Sequence, residues 1–217
     1  MSVVRNSAEA HAAHLRASAR RGVWRRLLAW LGLGGARVRR ADAQAALWQH
    51  GANAEAATVA LLEPLRAEGW RVWHDRMVPG RRFNLDHILI PPTGDALVSL
   101  DTKGWRRTWE THLHAGRVHC GPEDRHEQAE KAAQHARTVA DTLGLPAGIV
   151  VSMLAIHGSP IAGGRLLAHT PYGPVHILGA LMLLPVLRTA ASGRDDVAAV
   201  RLARLVENRL RPYPRAS

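Results

Sequence analysis

Residues 81–105 read RRFNLDHILIPPTGDALVSLDTKGW. Two apolar runs flank a Pro-Pro-Thr-Gly reversal, a pattern that predicts two strands joined by a turn. A buried strand pair has no structural need for carboxylates. Yet Asp86 interrupts the first run, and Asp101 and Lys103 end the second. Side chains alternate faces along a strand, so Asp86, Ile88 and Ile90 share one face of the first. Leu97, Ser99, Asp101 and Lys103 share a face of the second, with Thr102 pointing away. A hairpin about the PPTG turn brings Asp86 close to Asp101.

Adjacent carboxylates repel and raise each other's proton affinity. A hard cation between them removes that penalty. Mg²⁺ takes oxygen ligands at about 2.1 Å and keeps several waters. Asp86, Asp101, the Thr102 backbone carbonyl and waters make such a set, which Mn²⁺ would also accept. Lys103 could then orient or help deprotonate a water, or stabilise charge on a phosphate. The structural alternative is an Asp101–Lys103 ion pair at a sheet end, with Asp86 capping a turn or pairing with Arg82.

Working outward, WRVWHD (70–75) reads as a preceding strand and VPGRR as a turn. Upstream, ANAEAATVALLEPLRAEG predicts a helix with Asn53 as a plausible cap. Glu55, Val59 and Leu62 fall on one helical face, and Pro64 is expected to kink or end the regular part. Glu55 therefore starts a core-facing stripe, either at its solvent edge or buried with a partner. It is a candidate third acidic group.

Downstream, residues 105–120 predict strand, turn and strand, with the turn at Ala115-Gly116. Pro122 introduces a polar helix ending near LGLPAG. On it, Gln128, Lys131 and His135 can share a face, whereas Glu127 and Glu130 read as surface charges. Ile149–Ile156 and Val175–Gly179 predict strands; LMLLPVLRTA and residues 195–211 predict helices. The order predicts an α/β fold with a mixed β-sheet flanked by helices. His87 points opposite Asp86 and reads as a hydrogen-bonded structural histidine. His157 ends a strong strand and could reach the site edge. Trp105 and Trp109 are expected to pack on the sheet rather than stack on bases.

The chain of 217 residues carries a formal charge of +11, with 29 basic and 18 acidic residues. Lys103 and Lys131 are the two lysines; the other basic residues are arginines, the better bidentate phosphate ligands. Such an excess favours polyanions, either nucleic acid or an anionic membrane. The single Cys120 excludes an intrachain disulfide, fits a reducing, cytoplasmic compartment and reads as a small apolar filler. No apolar run reaches the roughly 18 residues of a spanning helix. Neither a GxxxxGK[ST] loop nor GxGxxG, nor a cysteine-pair or HExxH zinc pattern, is present.

Residues 1–40 hold nine arginines and one glutamate. Within them, RRGVWRRLLAWLGLGG predicts a short basic helix with Trp24, Leu27, Leu28 and Leu31 at helical spacing. It could dock on the domain, contact nucleic acid, or make peripheral contact with a membrane or a protein partner through residues 20–33.

The ordered set Glu55, Asp86, Asp101 and Lys103 resembles the NERD (nuclease-related) domain of the PD-(D/E)xK nuclease superfamily. The resemblance rests on the helix start Gly51-Ala52-Asn53-Ala54-Glu55, on GWRVWHDRMVPG, on Asn84-Leu85-Asp86-His87, and on Asp101-Thr102-Lys103-Gly104-Trp105. Alanine stands at 54 where the family carries a second glycine. The resemblance covers roughly residues 50–190 and implies a restriction-endonuclease-like core and metal-dependent hydrolysis of DNA phosphodiesters.

It implies catalytic roles for Glu55, Asp86, Asp101, Lys103 and Gln128. Asp86, Asp101, Thr102 and Glu55 become candidate ligands of Mg²⁺ or Mn²⁺. Arg81, Arg82, Arg106, Arg107 and Lys131 become candidate nucleic-acid contacts. The expected organisation is a basic extension over 1–40, the nuclease-like domain over 41–192, and a C-terminal helix and tail over 193–217. A noncatalytic nucleic-acid-binding module and a membrane-proximal scaffold are the alternatives.

Overall fold

The computed structural model describes residues 53–146, 148–191 and 193–214. The basic stretch 20–33 lies outside the described residues. The chain divides into two units, residues 1–56 with 214–217, and 57–213. What the first unit shows is the start of helix α1 (residues 53–67).

The second unit is built on a seven-stranded mixed sheet. Its strands are β1 (Arg71–Met77), β2 (Asn84–Ile90), β3 (Leu97–Gly104), β7 (Val150–His157), β8 (Arg165–Thr170), β9 (Gly173–Gly179) and the short β10 (Arg211–Pro212). Their order is β10-β1-β2-β3-β7-β9-β8. β1, β2 and β3 form an antiparallel meander, then β3, β7 and β9 run parallel. A parallel pair needs a long crossover. Here it consists of a second small sheet, β4 (Thr111–His114), β5 (Arg117–Cys120) and β6 (Glu123–Asp124), followed by helix α2 (His126–Leu143). The expected mixed α/β fold is present, with an architecture consistent with restriction-endonuclease-like proteins.

Both sheet faces are covered, which explains why the central strands read as continuous apolar runs. On one face, Leu62 and Leu65 of α1 and Leu183 and Leu187 of α3 (Ala180–Ala190) pack on Leu89, Val98, Leu100 and Met153. On the other, Val139 and Leu143 of α2 and Ala199, Leu202 and Val206 of α4 (Asp196–Arg209) pack on Ile88, Ile90 and Leu97. The period-2 alternation of β2 and β3 thus sorts their side chains between two helical layers.

Helix ends follow local chemistry. Asp195 caps α4 by accepting the Val197 and Ala198 amides at 3.1 and 3.0 Å. Gly144 closes α2 in the left-handed region. Gly94, in the PPTG turn, has φ +65° and approaches α4 so closely that a Cβ would lie 2.2 Å from the Ala199 nitrogen. Only glycine satisfies both demands.

Several boundaries differ from expectation. Pro64 does not end α1, which continues to residue 67. Its buried stripe is Thr58, Leu62 and Leu65, whereas Val59 is half-buried. Residues 105–110 form a loop, and β4 begins at Thr111 because that residue's amide is taken by Pro160 O at 2.7 Å. β8 was not anticipated; it pairs antiparallel with β9 about the Pro171-Tyr172 turn as an edge strand.

Candidate active site

Pairing of β2 with β3 stops at His87↔Leu100, whereas β3 and β7 stay paired through Gly104↔His157. Continuation of the β2–β3 register sets Asp86 opposite Asp101 at the first position beyond the ladder. Here the carboxylate replaces the missing backbone partner: the Thr102 amide donates to Asp86 Oδ2 at 2.9 Å. A residue's N–H and C=O lie on the same strand edge, so the Thr102 carbonyl also faces this opening.

Asp86, Asp101 and Lys103 share the face occupied by Ile88, Ile90 and Leu97, beneath α2. Asp101 and Lys103 form an ion pair, with the two side chains 20% and 31% exposed. Beyond Lys103, the buried Oδ2 of Asp101 has no hydrogen-bond partner among the described residues. A buried anionic oxygen held by Lys103 alone, across a strand opening from a second carboxylate, suits a hard cation. Asp86, Asp101 and the Thr102 carbonyl are the groups that would hold it, together with water. Among the described residues no group of three His, Cys, Asp or Glu side chains could hold a metal ion by itself.

α2 forms the roof. Gln128, in its first turn, accepts the indole N–H of the buried Trp105 at 3.0 Å. That bond ties α2 to the segment just after Lys103. Lys131 is exposed and paired with Glu127 at 2.6 Å. His135 stacks on Phe83 with ring centroids 3.9 Å apart. Burial lowers the His135 pKa; Asp101 opposes that shift, and Lys103 and Lys131 reinforce it. His135 is therefore within electrostatic reach of the Asp101–Lys103 pair. The sequence pattern set it on the Gln128 face but did not signal the Phe83 stack.

The remaining predicted cations surround the strand ends. Arg81 and Arg82 are exposed in the β1–β2 turn, and Arg106 and Arg107 in the loop after β3. The Arg106 guanidinium lies 4.4 Å from the ring centroid of the half-buried Trp109, whose ring packs on Gly121. Trp105 is a core residue, as expected. Cys120 is buried with its thiol 3.7 Å from the Ser159 hydroxyl. Glu55 lies in the first turn of α1, within the first unit.

On the opposite face, His87 is fully buried and hydrogen-bonded, again as expected. Its environment was not anticipated. Nδ1 meets His74 Nδ1 at 2.8 Å, and Nε2 meets Thr102 Oγ1 at 3.2 Å. The signal was available in the hairpin register, which sets His74 directly across from His87.

No curated protein and no solved structure matches the chain. Residues 50–157 match the family described as the nuclease-related domain. That span runs from the start of α1 to the end of β7 and contains both strands of the opening. The chain carries a NERD domain and, through it, belongs to the PD-(D/E)xK-related nuclease superfamily.

Proposed function

We propose that this chain hydrolyses DNA phosphodiester bonds with Mg²⁺ or Mn²⁺. One observation carries the reading. Continuation of the β2–β3 register beyond His87↔Leu100 sets Asp86 opposite Asp101 where the ladder opens; Asp86 takes the Thr102 amide and Lys103 pairs with Asp101. Asp86, Asp101 and the Thr102 carbonyl would hold the cation, and Glu55 is assigned to the acidic set from its place in the sequence pattern. When bound, the cation lowers the pKa of water and polarises the phosphodiester.

The protein's own part is positioning and charge. Asp86 and Asp101 fix where the phosphate docks. The Lys103 ammonium, a compact charge on a flexible stem, turns from Asp101 toward the attacking water and the negative charge that develops on phosphorus oxygens. Gln128 would bear on the phosphate from the roof. Arg81, Arg82, Arg106, Arg107 and Lys131 would hold the DNA backbone through contacts that carry no sequence information.

The test is cleavage of supercoiled, linear and single-stranded DNA by purified protein in Mg²⁺, Mn²⁺ or EDTA, with D101N as control. Metal-dependent cleavage lost in D101N is the expected result. Cleavage that survives in D101N removes the assignment.

A second reading is a noncatalytic nucleic-acid-binding module. The formal charge of +11, which favours a polyanionic partner whether or not a bond is cleaved, supports it. Its signature is DNA binding that persists in EDTA without cleavage. That binding would weaken with salt by about 0.9 log units per log unit for each phosphate neutralised. Among the described residues no helix is long and apolar enough to cross a membrane. The proposed peripheral contact through residues 20–33 is tested separately, by liposome association with and without that segment.

A further inference from the structure

The face of the sheet opposite Asp86 and Asp101 holds a chain of buried polar groups within an otherwise apolar layer. Thr58 and His87 are fully buried, and Thr102 is nearly so. Four hydrogen bonds link five residues: His74 Nδ1 to His87 Nδ1 at 2.8 Å, His87 Nε2 to Thr102 Oγ1 at 3.2 Å, Thr102 Oγ1 to Thr58 Oγ1 at 3.1 Å, and Thr58 Oγ1 to His157 Nε2 at 2.7 Å. These residues come from α1 and from β1, β2, β3 and β7. The buried apolar layer on this side of the sheet includes Leu62, Leu89, Leu100 and Ala155.

The direction of the chain follows from its chemistry. The Thr102 hydroxyl donates to Thr58, so it must accept from His87 Nε2–H. The two Nδ1 atoms of His74 and His87 lie 2.8 Å apart, so one carries the shared proton and the other accepts it. Thr58 then donates to His157 Nε2. Every donor along the chain meets an acceptor, and donors and acceptors aligned in one sense polarise one another. A core that needed only stability could use apolar residues here, because buried polar groups bring a desolvation cost that hydrogen bonds merely offset.

Thr102 joins this chain to the candidate site. Its side chain belongs to the buried chain, and its amide holds Asp86 on the β2 edge. Beyond His87↔Leu100, no ladder pairing secures β2 to β3. Rotation of the Thr102 peptide would break the amide–carboxylate bond and the hydroxyl chain together.

We infer that the His74–His87–Thr102–Thr58–His157 chain is a positioning brace that sets the separation of Asp86 from Asp101, with Thr102 as its hub. The inference rests on the reading of these two carboxylates as cation ligands. Outer partners that orient metal ligands commonly contribute about 10- to 100-fold in metal affinity.

The experiment is calorimetric titration of Mn²⁺ into the full chain without DNA, so the readout does not depend on turnover. Wild type, D101N, T102V and T102S are compared, each checked for cooperative thermal unfolding. T102V keeps the side-chain shape and the amide but deletes the hydroxyl; T102S restores the hydroxyl. The expected result is Mn²⁺ binding in wild type, none in D101N, a loss of about 10-fold or more in T102V, and recovery in T102S. If T102V folds and binds like wild type while D101N does not bind, the brace is overturned and the ligand reading stands. If wild type does not bind Mn²⁺, both fall. If T102V does not fold, T58V replaces it. That variant breaks the chain one step further from the carboxylates, and wild-type binding in it overturns the brace.

Discussion

The Thr102 amide meets the Asp86 carboxylate at 2.9 Å across the point where β2 and β3 cease to pair. A side chain has taken over the work of a backbone carbonyl, and this lets the strands separate while β3 stays anchored to β7. Asparagine can still accept that amide through its side-chain oxygen, so D86N should keep the fold while halving the pair's negative charge. The expected outcome is an unfolding midpoint close to wild type and Mn²⁺ affinity reduced by more than about 100-fold, beyond what loss of an outer partner costs. D86A, which loses the amide contact as well, should also be destabilised by about 1–3 kcal/mol, the cost of an unmet buried donor. Undiminished Mn²⁺ binding in D86N would remove Asp86 from the ligand set.

Lys103 should separate binding from turnover. Its ammonium neutralises Asp101 and competes with any cation for the same oxygen. K103M therefore predicts Mn²⁺ binding as tight as wild type or tighter. Turnover should fall by about 10²–10³, the range for loss of one group stabilising transition-state charge. Both partners are partly exposed, so the stability change should stay within about 1 kcal/mol. A variant that keeps full metal-dependent cleavage removes Lys103 from the chemistry.

Acid should destabilise the domain through His87. Burial pushes its pKa down to about 3, and the neighbouring His74 and His157 add to the shift. In the unfolded chain an imidazole titrates near 6.5. Between these values the unfolded state binds a proton that the folded state refuses. Stability is therefore complete above pH ~6.5 and declines as pH falls toward 3, with a slope approaching about 1.4 kcal/mol per unit from this one group. His74 and His135 are also lowered by burial and act in the same direction. Urea unfolding of wild type and H87Q between pH 7 and pH 4 measures the difference. H87Q should lose stability on acidification less steeply; parallel curves would mean that His87 is not held neutral.

The carboxylate pair was legible because period-2 alternation and a short turn dictate which strand side chains share a face. The acid–x–Lys end of β3 carried the same information. The chain His87–Thr102–Thr58 was harder to read. It depends on which helix covers the opposite face, and a threonine within an apolar helical stripe looks like an ordinary core position. Of the two effects expected of Pro64, ending the helix does not occur, because its ring bears on the preceding turn and α1 continues to residue 67. β8 escaped notice because RLLAHT is an edge strand with exposed Leu167, so its pattern lacks the apolar run of the central strands. The pattern leaves Gln128 either near the phosphate or on a solvated helix face; its oxygen is taken up by Trp105, a contact that depends on the path of the loop after β3.

That contact gives Gln128 two separable roles. If its oxygen chiefly holds the Trp105 indole, Q128A leaves a buried N–H unmet and should cost about 1–3 kcal/mol. W105F removes the donor but retains an aromatic ring. Once Trp105 is gone, deleting the amide should cost less, so the double-mutant cycle should show a coupling of about 0.5–3 kcal/mol. A catalytic role predicts something further. Q128A should then lower kcat in either background by more than W105F does, under conditions where each variant is fully folded. Zero coupling would mean that the indole–amide bond contributes nothing to stability. A kcat change in Q128A no larger than that in W105F would confine Gln128 to holding α2 over the strand opening.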